Sequence, residues 1–213
     1  MGGITYDYME RYIRDLIPEN NDFLKELEEY AAEYNVPIIQ KEGAQFLKTI
    51  VAIKKPKKVL ELGTAIGYSA LTIYQSNKCK ITTIDRSADM VAKARENIEK
   101  AGAKEDINVI EGDVLEVVKG LDEKFDLIFM DAGKGHYNHL LDDILRLLSD
   151  DGVIVADNVL FRGMVANDDL VIRRKITIVK RMRAYLEMIN EREELVTSII
   201  PMGDGIALTT RRK

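Results

Sequence analysis

The amino-acid sequence predicts an α/β fold: a mostly parallel seven-stranded sheet with helices on both faces, an antiparallel C-terminal hairpin strand and extra N-terminal helices. Three observations predict it. From Lys57 onward, apolar β-type runs alternate with helical patterns, which implies βαβ units. The chain closes instead on two consecutive β-type runs joined by "MGDG", whose Asp204-Gly205 favours a tight reversal. Before Lys57, apolar residues recur at helical spacing.

The first helices are read from "YMERYIRDLI" and "DFLKELEEYAAEY", separated at Pro18, with Asn20, Asn21 and Asp22 as capping candidates. "KEGAQFLKTIVAIKK" follows "VPII" as a third. Then come the strand "KVLEL", helix "YSALTIYQ", strand "KITTID", helix "ADMVAKARENIEKAG", strand "INVIEGD", helix "VLEVVKGL", strand "FDLIFMD", helix "YNHLLDDILRLL" and strand "GVIVADN". A long amphipathic helix is expected from Asp168 to Asn190, before the strands "ELVTSIIP" and "GIALTTRR".

A chain of 213 residues fits one domain with a sizeable core, here 1–213, divided into an N-terminal helical segment 1–56 and an α/β core 57–213. The first twenty residues hold spread charges and no apolar run, and no later segment is long and apolar enough to span a membrane, so a cytoplasmic protein without membrane contact is expected. Cys79 stands alone and reads as a structural thiol. A net charge of −5 supplies no global attraction to nucleic acid, which leaves that role to local basic clusters.

Ligands of open parallel sheets bind beyond the carboxyl ends of the strands, so what each strand ends with is informative. The first ends in "ELGTAIGYS", with Glu61, Gly63, Gly67 and Ser69; the next four end at Asp85, Glu111-Gly112-Asp113, Asp131 and Asp157-Asn158. One acid after a strand is more often a cap than a ligand. Five on one edge point to a site. "GTAIG" is neither a P-loop nor a full dinucleotide fingerprint, whereas Asp85 could hold ribose hydroxyls of any adenosine cofactor. NAD and S-adenosylmethionine both remain open on that ground. The terminal hairpin and Asp113, which could accept from an adenine amino group, favour the methyl donor.

At this point the chain resembles the class I, metal-dependent O-methyltransferases of the catechol and caffeoyl-CoA type, which have a Rossmann-like fold, and within them the bacterial tRNA 5-hydroxyuridine methyltransferases. The resemblance is carried by "VLELGTAIGYSAL", "DAGKGHY", "ADNVLFRG" and "PMGDGIAL". It implies a divalent cation, usually magnesium, on Asp131, Asp157 and Asn158, and the chemistry agrees because magnesium prefers a few oxygen ligands. It implies Lys134 as the catalytic lysine beside Asp131. For the donor it implies Glu61, Gly63 and Ser69 near the methionine part, Asp85 on the ribose, Asp113 near the adenine, Asp131, and Ile38 through its backbone, with Tyr68 as a neighbour or a packing residue. His136 and His139 compete weakly as bases, and Tyr137 reads as a wall of the site or as core.

Catechols, caffeoyl-type phenols and 5-hydroxyuridine share an acidic hydroxyl beside a second oxygen on a planar ring. The clusters at Lys54–Lys58 and at the C-terminus are expected on the sheet edge away from the site. Arg162, Arg173, Arg174 and Lys175 are expected near it, as phosphate contacts. "DNVLFRGMV" and the compact length resemble the tRNA enzymes, so the expected acceptor is the wobble hydroxyuridine in a tRNA anticodon, with a small vicinal-dioxygen phenol as the alternative and a non-catalytic adenosine- or RNA-binding module as the contrasting class. The N-terminal helices are expected to form a lid or a homodimer contact.

Overall fold

The structure, a computed structural model, describes residues 4–213; the first three residues of the 1–56 segment lie outside the described residues. Its order is α1 (Asp7–Leu16), α2 (Asp22–Glu33), α3 (Lys41–Lys54), β1 (Lys58–Leu62), α4 (Tyr68–Ser76), β2 (Lys80–Asp85), α5 (Ala88–Lys100), β3 (Ile107–Glu111) and the short α6 (Val114–Val117). Then follow β4 (Phe125–Met130), α7 (Tyr137–Leu147), β5 (Leu148–Asp157), α8 (Ile176–Glu191), β6 (Leu195–Ile200) and β7 (Ile206–Arg211). The sheet runs β3-β2-β1-β4-β5-β7-β6, with β7 antiparallel to both neighbours.

Near-continuous apolar strands bury both faces of this sheet, as parallel strands with helices on each side must. Leu127, Phe129 and Val155 point to one core, shared with Leu27 of α2, Leu47 of α3, Leu71 of α4 and Val91 of α5. Their alternates Ile128, Met130, Ile154 and Ala156 point to the other, shared with Leu140 of α7 and Met182 and Tyr185 of α8. Thus α2 and α3 are built into the core. In contrast, α1 turns its polar side inward: Glu10 is its buried residue, and Arg14 reaches α3 through Glu42 at 2.7 Å, while Tyr8, Tyr12 and Leu16 stay exposed.

The chain steps outward from β1 to β3 and then returns beside β1 with β4, which places the switch point between β1 and β4. Register does the rest. Met130 pairs with Leu62 on one side and Ala156 on the other, so the next residues, Gly63, Asp131 and Asp157, emerge side by side. Because β7 is antiparallel, its first residue, Ile206, lies against Asp157 and its preceding loop arrives at the same edge. The Lys54–Lys58 and C-terminal clusters lie at the opposite edge, where Lys54 and Lys58 pair with Asp151 and Glu123.

The helix expected from Asp168 begins at Ile176 instead. Residues 168–170 and 173–175 form separate 3-10 turns, because the Asn167 side chain caps only the first of them and the β-branched Val171 and Ile172 between them take extended backbone. β5 also starts four residues earlier than the expected Gly152.

The loop between β6 and β7 is fitted closely to the one after β5. Val159 N–H donates to Gly205 O at 2.9 Å and Leu160 N–H to Asp204 O at 3.0 Å. Gly205 has φ +89°, and a Cβ there would stand 2.5 Å from Leu160 Cγ. Gly205→Ala should therefore cost about 1–3 kcal/mol, read as a lower melting temperature by roughly 2–12 °C. An unchanged midpoint would show that the two loops are not locked together.

Candidate active site

The strand ends border a cavity of about 680 Å³, and a second hollow of about 480 Å³ lies beside it. Asp85, Asp131, Ala132 and Lys134 line both, so the segment after β4 is the wall between them. Gly63 makes that wall possible: its φ is +106°, and a Cβ would meet the Ala132 methyl at 2.9 Å.

In the larger cavity the structure brings together Asp131, Lys134, Asp157 and Asn158, as well as Ile38 and Gly63. Asp131 is placed by its own N–H, which donates to Leu62 O at 2.9 Å. Lys134 Nζ stands 3.6 Å from Asp131 Oδ1. Asp157 accepts the Asn158 N–H at 2.6 Å, and Asn158 takes a left-handed conformation, φ 59°, which asparagine tolerates better than most residues. Burial pushes Asp157 up to about 7, helped by the neighbouring Asp131 charge. Burial also raises Asp131, against the opposing pull of Lys134.

Two crowded carboxylates whose ionisation is suppressed, with an amide oxygen beside them, are the donor chemistry that a hard divalent cation satisfies. The three residues therefore fit such an ion. Among the described residues there is no group of three or more His, Cys, Asp or Glu side chains arranged for a metal, and this set counts two carboxylates. The phenol of Tyr137 is fully buried and donates to Met130 O at 2.8 Å and to Asp157 O at 3.3 Å. Burial holds it well above the ordinary tyrosine range, so it stays a donor.

The other candidates divide. Asp85 accepts from Ala65 N–H at 2.8 Å and Ser87 N–H at 3.0 Å, which leaves lone pairs for a ligand's hydroxyls. Asp113 lines the second hollow while it caps α6 through Leu115 N–H. Glu61 and Ser69 are buried and line neither hollow; Glu61 Oε2 accepts from Thr83 at 2.5 Å and its Oε1 is without a partner among the described residues. Burial pushes it up to about 7, against the opposing effect of the neighbouring Ser69 and Thr83 hydroxyls. That orphaned oxygen suits an N–H-bearing ligand group.

The Tyr68 hydroxyl donates to Glu28 and accepts from Asn20; Tyr68 lines neither hollow but borders a third one, together with Ile38 and Gln40. Arg162, Arg174 and Lys175 line the larger cavity, whereas Arg173 does not. His136 lines the second hollow.

Sequence reasoning missed Asp204, which lines the larger cavity and accepts the Arg162 N–H. In the sequence it stands in a turn and in a stretch that carries the resemblance, without a role of its own; the antiparallel pairing of β7 with β5 is what carries it to the site. It also missed Gln40 and Phe161 in that cavity and Arg181 in the second hollow, where Arg181 donates to Gly135 O at 3.0 Å.

A family profile described as O-methyltransferase matches residues 15–212. Caffeoyl-CoA O-methyltransferase 1 of Zea mays is 30% identical, over 97% of this chain and 86% of that protein. The catechol O-methyltransferase of Niastella koreensis is 29% identical, over 79% of this chain and 80% of its own length. The SAH-bound crystal structure of the Podospora anserina methyltransferase PaMTH1 superposes with a TM-score of 0.89 at 26% identity, covering 100% of both chains.

Proposed function

The chain belongs to the O-methyltransferase family and is an S-adenosylmethionine-dependent O-methyltransferase, and from that premise we propose that it methylates one hydroxyl of a small phenol with two adjacent oxygens, assisted by a divalent cation on Asp131, Asp157 and Asn158. The observation that carries the reading is the convergence of those three side chains with Lys134 in one cavity at the β1/β4 switch point.

Bound there, the cation supplies Lewis-acid polarisation of the acceptor oxygens. The protein's own residues do the remainder. Lys134 takes the hydroxyl proton as the methyl group leaves the sulfonium for that oxygen. Asp85 holds the ribose, Asp113 and the second hollow receive the adenine, and Glu61, with Ser69 behind it and Gly63 above, meets the polar end of the donor. Ile38 closes the donor's other side. Fixing both reactants in one geometry supplies most of the catalytic advantage.

The phenol is put ahead of the tRNA wobble hydroxyuridine because the named relatives are catechol and caffeoyl-CoA enzymes. Arg162, Arg174 and Lys175 at the cavity are what still supports an anionic acceptor such as the tRNA. Residues 57–213 are read as the donor-binding core, and the exposed Tyr8, Tyr12 and Leu16 of α1 support pairing of two copies. Purified protein, labelled donor and magnesium, given catechol, caffeoyl-CoA or hydroxyuridine-containing tRNA in separate reactions, should label a phenol and lose that label with chelator. Label entering only tRNA would reverse the order of the two acceptors.

A further inference from the structure

Beyond the last β4–β5 pair, Met130 with Ala156, the two strands are tied one step further by a side chain. Tyr137 sits at the start of α7, fully buried, and its single phenolic proton is shared between Met130 O at 2.8 Å and Asp157 O at 3.3 Å. These carbonyls are not arbitrary acceptors. The Met130 carbonyl belongs to the peptide that leads into Asp131, and the Asp157 carbonyl to the peptide that joins Asp157 to Asn158. One hydroxyl therefore grips both peptides from which the three cation-facing side chains project.

Packing alone does not require that hydroxyl. Tyr185 is as deeply buried and meets Tyr137 edge-on, with ring centroids 5.3 Å apart, yet its own hydroxyl has no partner among the described residues. The two tyrosines share a core and differ in what their hydroxyls hold.

We propose that Tyr137 is a positioning residue of the cation site: its phenol sets the separation of the Met130–Asp131 and Asp157–Asn158 peptides, and thereby the span across which Asp131, Asp157 and Asn158 can close on one ion. This rests on the cation-site reading above. Such a residue acts on cation affinity first and on turnover only through it, as partners that orient metal ligands do.

The test is Mn²⁺ binding, followed by electron paramagnetic resonance of the free ion, for wild type, Tyr137→Phe and Tyr185→Phe. Saturating SAH is present throughout, so that ligand binding holds each variant folded by mass action. Tyr137→Phe should bind Mn²⁺ about tenfold more weakly, with SAH affinity within about twofold of wild type, and Tyr185→Phe should match wild type. Raising the magnesium concentration should restore turnover in Tyr137→Phe. Unchanged Mn²⁺ affinity in Tyr137→Phe, or an equal loss in Tyr185→Phe, would overturn the proposal and leave Tyr137 as core. A wild type that binds SAH but no Mn²⁺ would overturn the cation site itself, a separate and recognisable result.

Discussion

Lys134→Met should lower the methyl-transfer rate by about 10²–10⁴-fold, the range that a positioned general base contributes, while SAH affinity by calorimetry should stay near wild type. The side chain lines both hollows, 3.6 Å from Asp131, where donor and acceptor would meet. Loss of this cation has a second effect that must be separated from the first. Lys134 opposes the burial that raises Asp131, so its removal makes Asp131 harder to ionise, while it also removes a positive charge that repels a cation there, and cation affinity shifts by the balance of the two. Rates are therefore compared at saturating magnesium, which removes the affinity component. Lys134→Arg sharpens the question, because arginine keeps the charge and does not surrender its proton. If the arginine variant keeps full activity, Lys134 serves as a charge and not as a base.

How much of this site was legible in the sequence depends on how local each cause is. Asp131 and Asp157 terminate apolar runs whose period and length mark them as strands, so their shared edge follows from parallel topology alone. Asp85 follows for the same reason. Asp204 was hidden because a Gly-Asp-Gly run is locally a turn, and only the non-local pairing of β7 with β5 brings that turn to the cavity. The basic stretch was half legible. Its place after β5 is topological, but the break at Val171-Ile172 decides that Arg174 and Lys175 face the cavity and Arg173 does not. The sequence offers Tyr68 both as a donor neighbour and as a packing residue, and what it could not show is that the α2 residue Glu28 takes its hydroxyl. For α1 the apolar pattern was visible, but it could not show that the polar side is the one docked, through Arg14 and Glu42.

Asp157→Asn should cost at least the ~10–100-fold in cation affinity or activity seen for residues that merely orient ligands. It also carries a pH signature. Asp157 sits at about 7 in the folded protein against an ordinary value of 3.8, through burial first and the Asp131 charge second. Between those values the folded state holds a proton that the unfolded state has released, so cation-free stability is full below about pH 4 and falls as pH rises through about 7. Glu61, also raised to about 7, adds a loss in the same window, so the asparagine variant should keep part of the slope and not all of it. Cation binding runs the other way, because the ligand must be ionised to bind. Affinity for magnesium should climb up to about pH 7 and then level off, and excess magnesium should offset the loss of stability in wild type. Melting temperatures from pH 5 to 8, in chelator and in magnesium, measure both effects in wild type and Asp157→Asn. A variant whose chelator-treated slope equals that of wild type would show that Asp157 is not the group being titrated, and that Asp131 and Asp157 are not crowded in the way a cation would relieve.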